Sequence, residues 1–190
     1  VPKHLAVAVS GGSDSMALLD LMLWHGQKLG FDVSAVTVDH GLRDEAAAEA
    51  GFVASHCAKR DVPHAILTWR GWDGSGNLQA KARDARYTLI AAWAKEKAVD
   101  TVALGHTKED VAETFLLRLA RASGVDGLSE MEHDFCRYGM RWIRPITAQT
   151  REEWRAYLCE RDISWVDDAS NQDDAFDRVK ARRILESLAP

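Results

Sequence analysis

A short apolar run, His4 to Val9, stops at Ser10-Gly11-Gly12, and an amphipathic stretch follows with Met16, Leu18, Leu19, Met22 and Leu23 at its apolar positions. Buried strand, small-residue turn and helix N-terminus, in that order, predict an anion site. Glycines allow close backbone approach, the turn directs N–H groups outward, and the helix dipole favours negative charge. Ser10, Ser13 and Ser15 add hydroxyl donors, and the expected guest is a phosphate or pyrophosphate. Two familiar phosphate loops are excluded by spelling. No Lys follows the last glycine, as a Walker loop requires, and an adjacent Gly pair is not the spaced triplet of a dinucleotide fold. The competing structural account is a small-residue turn that merely starts a helix.

The rest of the chain repeats this rhythm. The first helix should run to about Leu29, with Gly30 as its C-cap. Strands are expected over residues 32–39, 62–69 and 101–105, and helices over 44–60, 78–97 and 109–121. Four strands alternating with helices imply right-handed crossovers: an α/β fold whose mostly parallel sheet is covered on both faces. Ligands in such sheets lie beyond the carboxyl ends of the strands. Ser10–Ser15, Asp39-His40-Gly41 and Gly105-His106-Thr107 all fall at such ends, which points to one shared site. After Ser123 the rhythm changes. Residues 135–138 and 140–143 read as a hairpin around Gly139. Thr150 and Glu153 spell a capping box for a helix to Arg161, and Trp165-Val166 reads as a brief strand before a final helix near Asp177. The expected organisation is therefore a nucleotide-binding core over 1–130 and a second part of the same catalytic unit over 131–190.

Composition sets limits on the function. The chain has 190 residues, 46% hydrophobic and 28% charged, with a formal net charge of −5, so no global basic charge announces nucleic-acid binding. No apolar run approaches the roughly 20 residues of a membrane span, and the strand begins too early for a secretory signal. Cys57, Cys136 and Cys159 are odd in number and form no CxxC pair. Free thiols in a reducing, cytoplasmic setting are expected, with neither a disulfide frame nor a zinc site.

Several side chains are candidates for chemistry. His106, Asp110 and Glu113 follow an H-x3-D-x2-E spacing that sets both carboxylates on one helix face, suited to Mg²⁺ or to a substrate ammonium. Acidic residues in a first turn also simply complement the helix dipole. Asp39 ends a strand, where it can bind a metal or cap a turn, and His40 reads as a wall residue. Arg83 and Arg86 are i,i+3 neighbours able to face a phosphate, with a solvated basic face as the alternative. Arg178 and Arg182 begin a basic last helix suited to RNA or nucleotide phosphates. Of seven tryptophans only Trp72, in a glycine-rich loop, is a stacking candidate.

Ser10–Ser15 resembles the PP-loop of the N-type ATP pyrophosphatases, adenine nucleotide alpha hydrolase-type folds with a Rossmann-like sheet. The later segments are more specific: residues 38–43 (VDHGLR), 79–87, 105–114, 118–128 (RLARASGVDGL), Arg144-Pro145, and 168–171 with Arg178 and Arg182. Together they resemble the tRNA(Ile)-lysidine synthases over nearly the whole chain. That resemblance implies a ligase that uses ATP and Mg²⁺ to adenylate the wobble cytidine of a CAU-anticodon tRNA(Ile), after which free L-lysine displaces AMP. It implies that Ser10, Gly11, Gly12, Ser13, Asp14 and Ser15 hold pyrophosphate, with His40 and His106 beside the nucleotide. Asp39 would bind Mg²⁺ or assist chemistry, Arg83 or Arg86 would act at phosphate or cytidine, Asp110 and Glu113 would bind lysine, and Arg178 and Arg182 would contact tRNA. Glu109, Val111 and Val179 depart from the family spelling. Family members commonly continue into further tRNA-binding domains, so weak tRNA affinity is expected of this stretch alone, and a homodimer stays open. The rival readings are a PP-loop tRNA thiolase, which would want paired cysteines, and a nucleotide-binding module without turnover.

Overall fold

Alternating apolar residues along the first strand divide the molecule into two cores. In the computed structural model, which describes residues 1–41, 45–70, 72, 75–120, 131–167, 180–182, 184 and 185, β1 is His4–Ala8. Leu5 and Val7 point to one face of the sheet, with Met16, Leu18 and Leu19 of α1 (Ser13–Leu29). Ala6 points to the other face, with Val36, Tyr87, Ile90 and Trp142. This is the period-two geometry of a strand buried on both sides.

β2 (Asp32–Asp39), β3 (His64–Thr68) and β4 (Thr101–Leu104) follow in sequence, separated by α2 (Glu45–Ala58) and α3 (Leu78–Glu96). After α4 (Lys108–Ala120) come β5 (Asp134–Arg137), β6 (Met140–Ile143) and α5 (Arg151–Glu160). The six strands lie in the order β3-β2-β1-β4-β6-β5, all parallel except β5, which pairs antiparallel with β6. The α/β class and mostly parallel sheet expected from the sequence are therefore present. Successive strands are laid outward from β1 on one side and from β4 on the other, so the order reverses between β1 and β4. That switch point is where open α/β sheets bind ligands.

Local chemistry explains the boundaries. Gly30 ends α1 in the left-handed region (φ 73°), its N–H donating to the Gly26 carbonyl. Asn77 caps α3 by accepting from the Ala80 N–H, and Thr150 and Glu153 form the expected capping box of α5. The β5–β6 hairpin turns through Tyr138 (φ 53°) and Gly139 (φ 68°), the two positive-φ positions of a type I′ turn. Its β6 strand continues the main sheet beside β4, an attachment the sequence did not suggest. Trp142 anchors it: the ring is fully buried 4.6 Å from that of Tyr87, and its indole N–H donates to the Arg137 carbonyl.

One expected strand is not formed. Trp165-Val166 is irregular, and its backbone bond runs from the Val166 N–H to the Gly11 carbonyl, 2.9 Å. Among the described residues it joins no ladder, and Val166 instead fastens the turn after β1. The final helix expected near Asp177 is seen as helical residues 180–182, 184 and 185; its start lies outside the described residues.

Candidate active site

At the switch point a cavity of about 640 Å³ opens between the turn after β1, the end of β2, the first turns of α4 and the start of α5. The chain turns at Gly11, which does not itself line the cavity and whose φ of 93° is a conformation that side-chain-bearing residues rarely adopt. Gly12 is the N-cap of α1, and no side chain caps that helix, so its positive end is presented to the cavity. The serines shape the turn as well as decorate it. The Ser15 hydroxyl donates to the Gly12 carbonyl at 3.0 Å and accepts the Ser10 N–H at 3.1 Å. Ser13 donates to Asp14 Oδ1. All of Ser10, Gly12, Ser13, Asp14 and Ser15 line the cavity.

Gly105 makes the close packing possible. A Cβ there would stand 3.1 Å from the Asp14 carbonyl oxygen and 3.1 Å from Ser15 Cα, both backbone atoms of the opposing turn. The end of β4 thus lies directly against the start of α1, which brings α4 to the anion site.

On α4, Asp110 and Glu113 are the buried residues, and both face the cavity. Asp110 Oδ2 accepts the Thr107 N–H at 2.8 Å and the Thr107 hydroxyl at 3.1 Å. Glu113 is wholly buried; its Oε1 accepts from Arg182 Nε at 2.9 Å, while Oε2 has no hydrogen-bond partner among the described residues. A buried carboxylate oxygen left without a donor is a costly arrangement unless a cationic guest supplies one. His106, just before α4, also faces the cavity with Nδ1 unpartnered. Burial pushes its pKa down to about 3, against the pull of Asp110 and with help from Arg144 and Arg86, so the ring is neutral. His40 lines the same wall, its ring edge-on to Trp69, and burial with the nearby Arg86 lowers its pKa.

A residue that sequence reasoning missed joins these parts. Arg151, the first residue of α5, donates from Nε to Asp14 Oδ2 at 3.0 Å and places Nη2 3.8 Å from Asp110 Oδ2. Burial is the largest influence on Asp14 and holds its pKa above the ordinary value, although Arg151 opposes it. For Arg151, burial disfavours the charge, but Asp14 and Asp110 outweigh it and raise the pKa. A cation in the first turn of a helix opposes the dipole, and that mismatch was the available signal that an anionic partner faces it. Glu109, a departure from the family spelling, accepts the Arg151 main-chain N–H with both carboxylate oxygens at 3.0 Å. It is a tie between α4 and α5.

The remaining candidates divide. Arg86 is half-buried and lines the cavity, whereas Arg83 is exposed, with its guanidinium 5.6 Å from the centre of the Tyr87 ring. Asp39 is half-buried at the end of β2 and caps the following turn through the Gly41 N–H at 2.8 Å, and it is not among the cavity-lining residues. Arg182 enters the cavity wall through Glu113; Arg178 lies outside the described residues. Trp72 has Lys81 Nζ 5.5 Å from its ring centre and takes no part in the cavity. Cys57 is buried while Cys136 and Cys159 are exposed, and all three are free thiols. Among the described residues no helix is long and apolar enough to cross a membrane.

Residues 1–188 match the family described as the PP-loop domain. The chain is 47% identical over 189 residues to a tRNA(Ile)-lysidine synthase of Ruegeria pomeroyi, covering 100% of this chain and 45% of the relative. It is 44% identical over 187 residues to that of Zymomonas mobilis, covering 96% and 56%. The chain thus spans about half the length of the relatives it matches. Among solved structures, a U34-tRNA thiolase of Methanococcus maripaludis that carries a [4Fe-4S] cluster superposes with a TM-score of 0.82 at 16% identity, covering 97% of this chain and 65% of that one. At that identity the likeness is one of fold.

Proposed function

Because the chain belongs to the PP-loop domain family, we propose that it is the catalytic domain of a tRNA(Ile)-lysidine synthase. The observation that carries the reading is the pair of buried carboxylates, Asp110 and Glu113, facing the anion loop across one cavity. An anion site alone suits any nucleotide enzyme. An anion site opposite two buried carboxylates suits one that joins a phosphorylated intermediate to a cationic amine.

In this reading ATP places its β- and γ-phosphates on Ser10–Ser15. The 2-carbonyl oxygen of the wobble cytidine in CAU-anticodon tRNA(Ile) attacks the α-phosphorus, and pyrophosphate leaves. The ε-ammonium of L-lysine then gives one proton to a facing carboxylate, the free amine attacks C2, and the C2–O bond breaks to release AMP. The N–H and hydroxyl donors of the loop stabilise the charge that grows on pyrophosphate. Asp110 and Glu113 receive the cationic amino acid, and Arg86, the cavity-facing member of its pair, attends the phosphate or cytidine. Neutral His106 and His40 line the nucleotide wall without adding charge.

Among the described residues no three His, Cys, Asp or Glu side chains gather as a metal site. Mg²⁺ would be held by the phosphate oxygens of ATP rather than by Asp39, which caps a turn and does not line the cavity. The ion would neutralise charge on the departing pyrophosphate. Selection of tRNA(Ile) over other CAU-anticodon tRNAs is assigned to the longer protein of which the relatives are examples.

The test is pyrophosphate release from ATP and Mg²⁺, with and without labelled lysine and a CAU-anticodon tRNA(Ile) transcript. Release that requires the transcript, with label ending on it, is expected. Nucleotide binding without release at saturating transcript, in both this chain and a full-length relative, would overturn the reading.

A further inference from the structure

Arg151 stands between two subsites whose guests carry opposite charge. Its Nε is 3.0 Å from Asp14 Oδ2 on the anion loop, and its Nη2 is 3.8 Å from Asp110 Oδ2 on α4. The main chain beneath it is fixed independently, because Glu109 holds the Arg151 N–H with both oxygens. The guanidinium is thus tied to two carboxylates above a main chain that is fixed separately, with about a fifth of its side chain exposed.

We propose that Arg151 is a positioning residue that couples the two substrates, occupying Asp110 until a triphosphate draws it away. This rests on the reading that the loop holds ATP and that Asp110 and Glu113 hold lysine. Arg151 shares its charge between Asp14 and Asp110. Phosphate oxygens arriving beside Asp14 offer the guanidinium a stronger, bidentate partner than a carboxylate at 3.8 Å. As it turns, Asp110 loses part of its internal cation, and its attraction for a substrate ammonium grows. Asp110 stays aimed meanwhile, because the Thr107 N–H and hydroxyl keep hold of Oδ2. Lysine binds best after the nucleotide, which suits a reaction in which the amine acts second. By linkage, lysine must strengthen nucleotide binding by the same factor.

The experiment is lysine affinity by calorimetry on the whole chain, alone and saturated with α,β-methylene-ATP and Mg²⁺. For the wild type the nucleotide should raise lysine affinity about fivefold or more, within the usual range of coupling between sites. Arg151→Gln keeps the main-chain clamp. It should bind lysine more tightly than wild type without nucleotide, with the nucleotide effect reduced to roughly twofold or less, the residual attraction between ammonium and phosphates. Arg151→Lys retains one charge without the fork and should lie between. If Arg151→Gln weakens lysine binding in both conditions and leaves the nucleotide effect intact, Arg151 is only a structural strut and the inference fails. Failure of the amine-site reading is distinguishable. There Asp110→Asn would leave lysine affinity unchanged, or the wild type would bind no lysine, and the inference would fall with it.

Discussion

Arg182 Nε donates to Glu113 Oε1 over 2.9 Å, pairing a guanidinium about a quarter exposed with a carboxylate that is 1% exposed. The contact makes helical residues 180–182 part of the cavity wall, although they follow every strand of the sheet. It also gives a fully buried acid its cation.

Removing that cation strands the carboxylate. Arg182→Ala should destabilise the fold by about 3 kcal/mol, the usual consequence of breaking a buried pair from one side. Arg182→Ala combined with Glu113→Gln should recover much of the loss. Urea unfolding of the wild type, the two single variants and the double variant gives the coupling energy, and strict additivity would show the pair to be energetically idle.

Asp110→Asn preserves shape and removes charge. Under the proposed function it should raise the lysine KM by roughly 10- to 100-fold, the range for losing a charged hydrogen bond. The ATP KM should move much less, as read from initial rates of pyrophosphate release and lysine transfer. Equal effects on both substrates would assign Asp110 to the nucleotide.

Gly105→Ala tests the close approach. Its new methyl would meet the Asp14 carbonyl and Ser15 Cα at 3.1 Å, so the anion loop must shift by a few tenths of an ångström. Turnover should fall by about tenfold or more, because misplaced reacting groups lose rate steeply. Circular dichroism should still report a folded sheet. Unchanged activity would mean that the turn yields freely.

His106 gives a pH prediction with a definite sign. Its folded pKa, about 3, lies below the unfolded value near 6.5, so the unfolded chain binds the extra proton first. Its stability contribution is complete above pH 6.5 and is lost as pH falls toward 3, by up to about 1.4 kcal/mol per pH unit. His40, His56 and His64 are depressed in the same direction, chiefly by burial. His106→Asn should flatten the acid limb of stability against pH. The His106 ring protons should show no NMR titration between pH 5 and 8.

Local signals were legible because they are written in neighbouring residues. The strand-turn-helix at Ser10–Ser15, the Gly30 C-cap, the Thr150–Glu153 box and the β5–β6 hairpin each depend on a few adjacent positions. The face shared by Asp110 and Glu113 follows from one helical turn. What the sequence hid are partnerships set by the tertiary fold. Nothing local says that β6 lies parallel to β4, or that Trp165-Val166 lacks a strand to pair with. Arg83 and Arg86 look equivalent on paper, yet in the fold Arg86 lines the cavity while Arg83 is exposed. Arg151 reaches an aspartate 137 positions earlier, beyond any spacing rule.

The bond from Val166 to Gly11 has a consequence for how the turn after β1 is fixed. Its carbonyl is fastened by Val166 and Asp14 is steadied by Arg151, both far along the chain. Contacts of such long sequence separation close late in folding, because the loop entropy between their ends must be lost first. The strand that starts the turn is therefore set by its neighbours in the sheet, whereas the turn itself takes its final shape only when the distant segments dock.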